Sequence, residues 1–146
     1  MTHERCRRTF CTSPALSANL VSALDNKHSF LRTIAERNGS TVTVHAGGKV
    51  DAANEHTWQQ RLREAAAATT PPGPLVIDTD GLDFMGGCAF TALAEEADRC
   101  RCRGIRMCLV SRRPVVGRII AAAALGSRLR HYPSMDTALS AAAAAT

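Results

Sequence analysis

The triplet Leu75-Val76-Ile77, entered through Pro71-Pro72-Gly73-Pro74, constrains this chain more than any other stretch. An unbroken apolar run of that length reads as a short strand buried on both faces of a sheet, the pattern of an α/β fold. A turn is predicted over Asp78–Asp83, with Gly81 available for positive φ. Phe84-Met85 is a second short apolar step, and Gly86-Gly87 permits a tight bend. Beyond it Ala89, Phe90, Leu93, Ala94 and Ala97 recur at helical spacing, with Glu95, Glu96 and Asp98 assigned to the opposite side. Cys88 therefore falls at the first turn of a helix. Unpaired backbone N–H groups and the positive end of the helix dipole there suit an anion or an ionisable nucleophile.

The run Leu82-Asp83-Phe84-Met85-Gly86-Gly87-Cys88-Ala89-Phe90 resembles the central loop of STAS domains, the anti-sigma factor antagonists of bacteria. Their loop reads apolar pair, Asp-Ser-Ser-Gly, then helix, and the second serine takes phosphate from an anti-sigma factor that is also a serine kinase. Residue by residue, Gly86 stands for the Asp, Gly87 for the first Ser, Cys88 for the phospho-acceptor and Ala89 for the Gly. The resemblance implies a single α/β domain with a mixed sheet of roughly four to five strands and about four helices packed on it. It further implies a partner-binding loop of Met85, Gly86, Gly87, Cys88, Ala89 and Thr91, with Asp51 nearby. The partner is an anti-sigma factor, and no cofactor, membrane or direct nucleic-acid contact is expected. With cysteine at the acceptor position, control by phosphorylation at residue 88 is not expected. Thr91, one turn into the helix, is the fallback acceptor.

The remaining chain fits that order of elements from about residue 30 to 144. Residues 1–28 read as an extension outside the core, with at most one short helix around Ala15–Leu24, and 29–146 as the domain. His28–Glu36 is predicted as an edge strand, Asn38-Gly39 as a turn and Thr41–His45 as its hairpin partner, with Val42 and Val44 inward. Gly47–Asp51 leads into a helix capped by Asp51 or Asn54, with Trp58, Leu62 and Ala65 or Ala66 buried. Gly104 closes the next helix. A strand follows over Ile105–Val110, then a helix opened by Pro114 with Val115, Ile119 and Ala122 or Ala123 as its apolar face. Leu125-Gly126 stops it, Arg128–Tyr132 forms a last strand, and a final helix carries Ala138, Leu139 and Ala142.

Composition narrows the function classes. At 146 residues the chain suits one domain. No apolar run approaches the ~20 bulky residues of a membrane span, and the Arg-rich start lacks the apolar stretch of a secretory signal. A cytoplasmic protein with reduced thiols is expected. The net charge is +5, and nine arginines with no acid lie between Arg99 and Arg130. That run reads either as a solvated basic face or as a docking surface for an acidic partner; it lacks the interleaved aromatics that stack on bases. Of the six cysteines, Cys108 sits in an apolar strand as a small hydrophobe, and Cys100-Arg-Cys102 lacks the second pair a zinc site needs. Cys88, Cys100 and Cys102 are candidates for lowered thiol pKa and reversible oxidation. There is no Walker-type loop, HExxH or G-x-S-x-G, and the histidines are scattered, so a binding module rather than an enzyme is expected. Two other classes stay open: a small-ligand or nucleotide-binding module using the helix start at Cys88, and a redox sensor. The sequence does not fix the oligomeric state, monomer or homodimer.

Overall fold

The computed structural model describes residues 30–145; the predicted extension over residues 1–28 lies outside them. Five strands form one sheet in chain order: β1 (Leu31–Asn38), β2 (Thr41–Val50), β3 (Leu75–Met85), β4 (Met107–Val110) and β5 (Arg130–Tyr132). β1 pairs antiparallel with β2 through the Gly39-Ser40 turn, where Gly39 takes φ +67°. Every other pairing is parallel. Helices α1 (Glu55–Ala67), α2 (Gly87–Cys102) and α3 (Pro114–Ala122) connect the parallel strands, and α4 (Met135–Ala145) follows β5. The mixed α/β architecture expected of the sequence is the one found.

Helices α1, α2 and α3 bury one sheet face, formed by Leu31, Ala35, Val42, Val44, Leu75, Ile77 and Leu109. The other face packs Val76, Cys108 and Val110 against Ala138 of α4. Leu75-Val76-Ile77 is unbroken in sequence because β2 and β4 flank it and helices cover both faces. Helix α1 buries Trp58, Leu62, Ala65 and Ala66, the stripe its spacing requires. Helix α2 ends in a Schellman motif: Gly104 at φ +78°, its N–H on the Arg101 carbonyl at 3.1 Å, and the Ile105 N–H on that of Cys100 at 2.8 Å.

Several local expectations are corrected. No turn interrupts Asp78–Asp83, because β2 runs on to Val50 and keeps β3 in a parallel ladder to Met85, with irregularities after His45 and after Gly48. Polar side chains in this stretch find partners in the sheet, as when the Thr79 hydroxyl donates to the Val110 carbonyl at 2.8 Å. Gly81 is needed for close approach rather than for positive φ, since a Cβ there would come within 2.8 Å of the Ala46 carbonyl oxygen. The buried stripe of α3 is Val116 and Ile120, one residue on from Val115 and Ile119. Its end is closed by Ala124 in the left-handed region at φ +58°, a position Gly126 does not share. Glu96 is buried rather than on the open side of α2, and accepts both Nε and Nη2 of Arg99. Leu139 is partly exposed, while Ala138 and Ala142 are buried as expected.

On the sheet face opposite α1 to α3, His45 stands between two carboxylates, with Nδ1 2.9 Å from Asp78 and Nε2 2.9 Å from Glu36. Burial alone lowers its pKa, but the hydrogen bonds and charges of Glu36 and Asp78 together outweigh it and raise it above the usual 6.5. A raised folded-state value means a stabilisation present in full below pH 6.5 and lost as pH rises through the folded pKa. The thermal midpoint of wild type should therefore exceed that of His45→Gln most at mildly acidic pH, with the gap closing above neutrality. A gap that widens as pH rises would contradict this.

Candidate functional site

Strand β3 delivers the site. Its last residues, Phe84 and Met85, project past the end of β4, so only β2 pairs with them. The Gly86 N–H donates to the Val50 carbonyl at 2.9 Å, which ends the ladder and turns the chain into α2. Gly86 is the N-cap in an extended conformation (φ −72°, ψ 170°), and its carbonyl accepts from the Ala89 N–H at 3.0 Å. Neither glycine of the pair takes positive φ. A Cβ on Gly87 would meet nothing within 4 Å, and one on Gly86 would make only ordinary contacts with the Phe84 ring at 3.5 Å and the Val50 carbonyl oxygen at 3.6 Å. The tight bend expected of two glycines is thus a strand-to-helix corner that residues with side chains also fit.

Around this corner Gly87 and Thr91 are exposed, Met85 and Cys88 half-buried, and Ala89 buried. The Thr91 hydroxyl donates back to the Gly87 carbonyl at 3.3 Å. Trp58, fully buried on α1, donates its indole N–H to the Ala89 carbonyl at 3.2 Å and so fixes the first turn of α2. The β2–α1 connection lies beside it. There the Asp51 carboxylate accepts from the Ala53 N–H at 3.0 Å, and Asn54 accepts from the Asp51 N–H at 3.0 Å and donates to the Lys49 carbonyl at 2.9 Å. Asn54 occupies the N-cap position of α1, but its side chain and that of Asp51 tie the connecting turn instead of capping the helix. This corrects the capping role expected of them.

The electrostatics of the corner also differ from expectation. The Cys88 thiol is raised above its ordinary pKa, chiefly by burial and by the Glu55 carboxylate, with Asp51 adding to it. The backbone N–H groups of Cys88 and Ala89 pull the other way, which is the helix-start effect the sequence predicts, but they do not prevail. Cys88 is therefore a neutral thiol near neutral pH. Cys100 is buried within α2 and pushed up to about 11, and Cys102 is exposed at the far end of the same helix from Cys88. The three thiols are not brought together, and neither Cys88 nor Cys100 has the lowered pKa expected of a reactive cysteine. Among the described residues no group of three or more His, Cys, Asp or Glu side chains is placed to hold a metal, and no helix is long and apolar enough to cross a membrane.

Two features escaped sequence reasoning. Glu55 opens α1 next to Cys88, a proximity set by the β2–α1 connection and not by spacing. Beside Met85 a groove of about 230 Å³ is lined by Phe84, Met85, Phe90, Val115 and Ile119. Phe84 is 52% and Val115 44% exposed. The signal available in the sequence was that Val115 and Ile119 are apolar on a helix whose buried positions, Val116 and Ile120, were already filled.

Residues 32–138 match the model of the STAS domain. The chain is 54% identical over 124 residues to the Mycobacterium tuberculosis protein Rv2638, described as an anti-anti-sigma factor, covering 85% of this chain and 84% of that one. It is 52% identical over 111 residues to the anti-sigma-F factor antagonist RsfA of the same species, covering 76% of this chain and 87% of RsfA. In three dimensions it is similar to an anti-sigma factor antagonist from Mycobacterium paratuberculosis, with a TM-score of 0.68 and 26% identity over 76% of this chain and 92% of that one. It shares its fold with unphosphorylated SpoIIAA, with a TM-score of 0.60 and 16% identity over 77% and 96% of the two chains.

Proposed function

The chain belongs to the STAS domain family, and on that footing we propose that it is an anti-sigma factor antagonist acting in the cytoplasm. It is a binding module, not an enzyme, and it engages an anti-sigma factor of the serine-kinase type, freeing a sigma factor for transcription. The contact surface is Asp51 with Met85, Gly86, Gly87, Cys88, Ala89 and Thr91. What supports this reading is the corner itself: an accessible strand end and helix start, its first turn held by Trp58, at the position that the loop resemblance matches to the family's acceptor serine. In such relatives phosphate places nearly two negative charges in the interface and disfavours the complex by repulsion and desolvation. In this chain the position holds a neutral thiol, which a serine kinase does not phosphorylate. The Thr91 hydroxyl donates to the Gly87 carbonyl at 3.3 Å within the helix, which disfavours it as a substitute acceptor. The binder is therefore constitutive with respect to phosphorylation.

The test is incubation with a purified serine-kinase anti-sigma factor and labelled ATP, followed by a binding titration. A complex equally tight before and after incubation, with no label on this chain, is the expected result. Labelling that disappears in Cys88→Ala or Thr91→Ala would overturn the constitutive reading, and failure to bind any such anti-sigma factor would overturn the assignment itself.

A further inference from the structure

At the other end of the sheet from Met85–Thr91, where α2 stops and β4 and β5 begin, the chain forms a second concavity of about 240 Å³. Arg101, Arg106, Arg128 and Arg130 line it, over a floor that includes Ile105 and Met107. They come from four places: Arg101 from the last turn of α2, Arg106 from the approach to β4, Arg128 from the α3–β5 connection and Arg130 from β5. One carboxylate answers two of them. Asp98 accepts Nε and Nη2 of Arg128 at 3.0 and 2.7 Å through one oxygen and Arg101 through the other. Arg106 and Arg130 have no carboxylate partner among the described residues. Both lie close enough to Cys108 to oppose the rise in its pKa that burial causes.

A cluster of arginines at a helix C-terminus has an ordinary structural use, to satisfy the last carbonyls and complement the dipole. The carbonyls are already met here by the Ile105 and Gly104 N–H groups, and Arg101, which also donates to the Arg128 carbonyl at 3.5 Å, stands in the last turn to complement the dipole. What is left is a small concavity in which Arg106 and Arg130 have no carboxylate partner among the described residues. Guanidinium forks match phosphoryl oxygens in pairs, and a diphosphate brings about one to two negative charges per phosphoryl group at neutral pH. The volume of about 240 Å³ suits a small anion.

We propose that this cleft binds a diphosphate-type anion, its phosphoryl oxygens held by Arg106 and Arg130 with Arg101 and Arg128 at the rim. The source is either free pyrophosphate or the phosphate chain of a nucleotide. Calorimetric titration of the full chain with inorganic pyrophosphate, and separately with ADP and AMP at constant ionic strength, tests it. Pyrophosphate should bind, AMP more weakly, and Arg106→Gln or Arg130→Gln should each weaken binding about tenfold or more. Arg118→Gln, on α3 outside the cleft, should leave it unchanged. ADP binding more tightly than pyrophosphate identifies a nucleotide as the source, and the reverse identifies the free anion. Wild-type amide shifts at Gly104–Met107 and Arg130 on adding pyrophosphate localise the site without any variant. Absence of binding by both pyrophosphate and ADP at millimolar concentration, or undiminished binding in the Arg106→Gln/Arg130→Gln double variant, would overturn the proposal.

Discussion

Trp58→Ala is expected to leave this domain largely unfolded under conditions in which the wild type is native. The side chain is fully buried between α1, α2 and the sheet, and removing an indole from such a site costs about 3–5 kcal/mol in lost transfer energy and cavity. The Ala89 carbonyl, which accepts the indole N–H at 3.2 Å within the first turns of α2, loses its side-chain partner, an additional cost of about 1 kcal/mol. Together these rival the whole stability of a typical domain, about 5–15 kcal/mol. Since Trp58 is the one tryptophan of the chain, the comparison requires circular dichroism in urea rather than fluorescence. Trp58→Phe keeps most of the buried volume while deleting the hydrogen bond, so it should cost much less than Trp58→Ala. A loss below about 2 kcal/mol in Trp58→Ala, with the urea slope unchanged, would contradict the central packing role assigned to this residue. Because the same side chain fixes the first turn of α2, any folded Trp58 variant should also bind an anti-sigma factor less well.

The second large effect concerns affinity rather than stability. Cys88→Asp should weaken the complex with an anti-sigma factor by about a hundredfold or more, while Cys88→Ser stays close to wild type. The new carboxylate would join Glu55 and Asp51, the two acids whose charges already disfavour ionisation of the thiol. Desolvating a third negative charge against a partner that accepts a neutral group costs several kcal/mol at an interface, and 2.8 kcal/mol is about a hundredfold. The fold itself should tolerate the change, since Cys88 is only half-buried and an aspartate in the first turn of a helix is favoured by its dipole. Isothermal titration of both variants, alongside their melting points, checks the prediction. Equal affinity for Cys88→Asp and wild type would remove residue 88 from the contact surface.

Much of the site was legible because it rests on local rules. The apolar spacing after Gly87 places the start of α2, and from that start follow the exposure of Thr91 and the burial of Ala89 and Phe90. The thiol's chemistry was not legible, although its location was. The helix-start N–H groups act on Cys88 in the direction the sequence implies, but burial and Glu55, brought in by the turn between β2 and α1, outweigh them. Desolvation and the approach of a side chain from another element are properties of the packed molecule, and no spacing within Met85–Thr91 encodes them. The same holds for Asp51 and Asn54: both types suit an N-cap, yet the chain uses them to brace the turn.

By itself the sequence determined the order of strands and helices, the doubly buried centre of β3, the inward stripe of α1 and the glycine closure of α2, because hydrophobic period and turn chemistry act over a few residues. Only the tertiary structure decided that Asp78–Asp83 stays extended, that α3 turns Val116 and Ile120 inward in place of Val115 and Ile119, and that four arginines scattered between residues 101 and 130 meet in one cleft. Each of these depends on a neighbour distant in the chain. A parallel partner strand holds a polar segment straight, a sheet surface selects which of two apolar stripes is covered, and the parallel crossovers gather the ends of separate elements at one edge of the sheet.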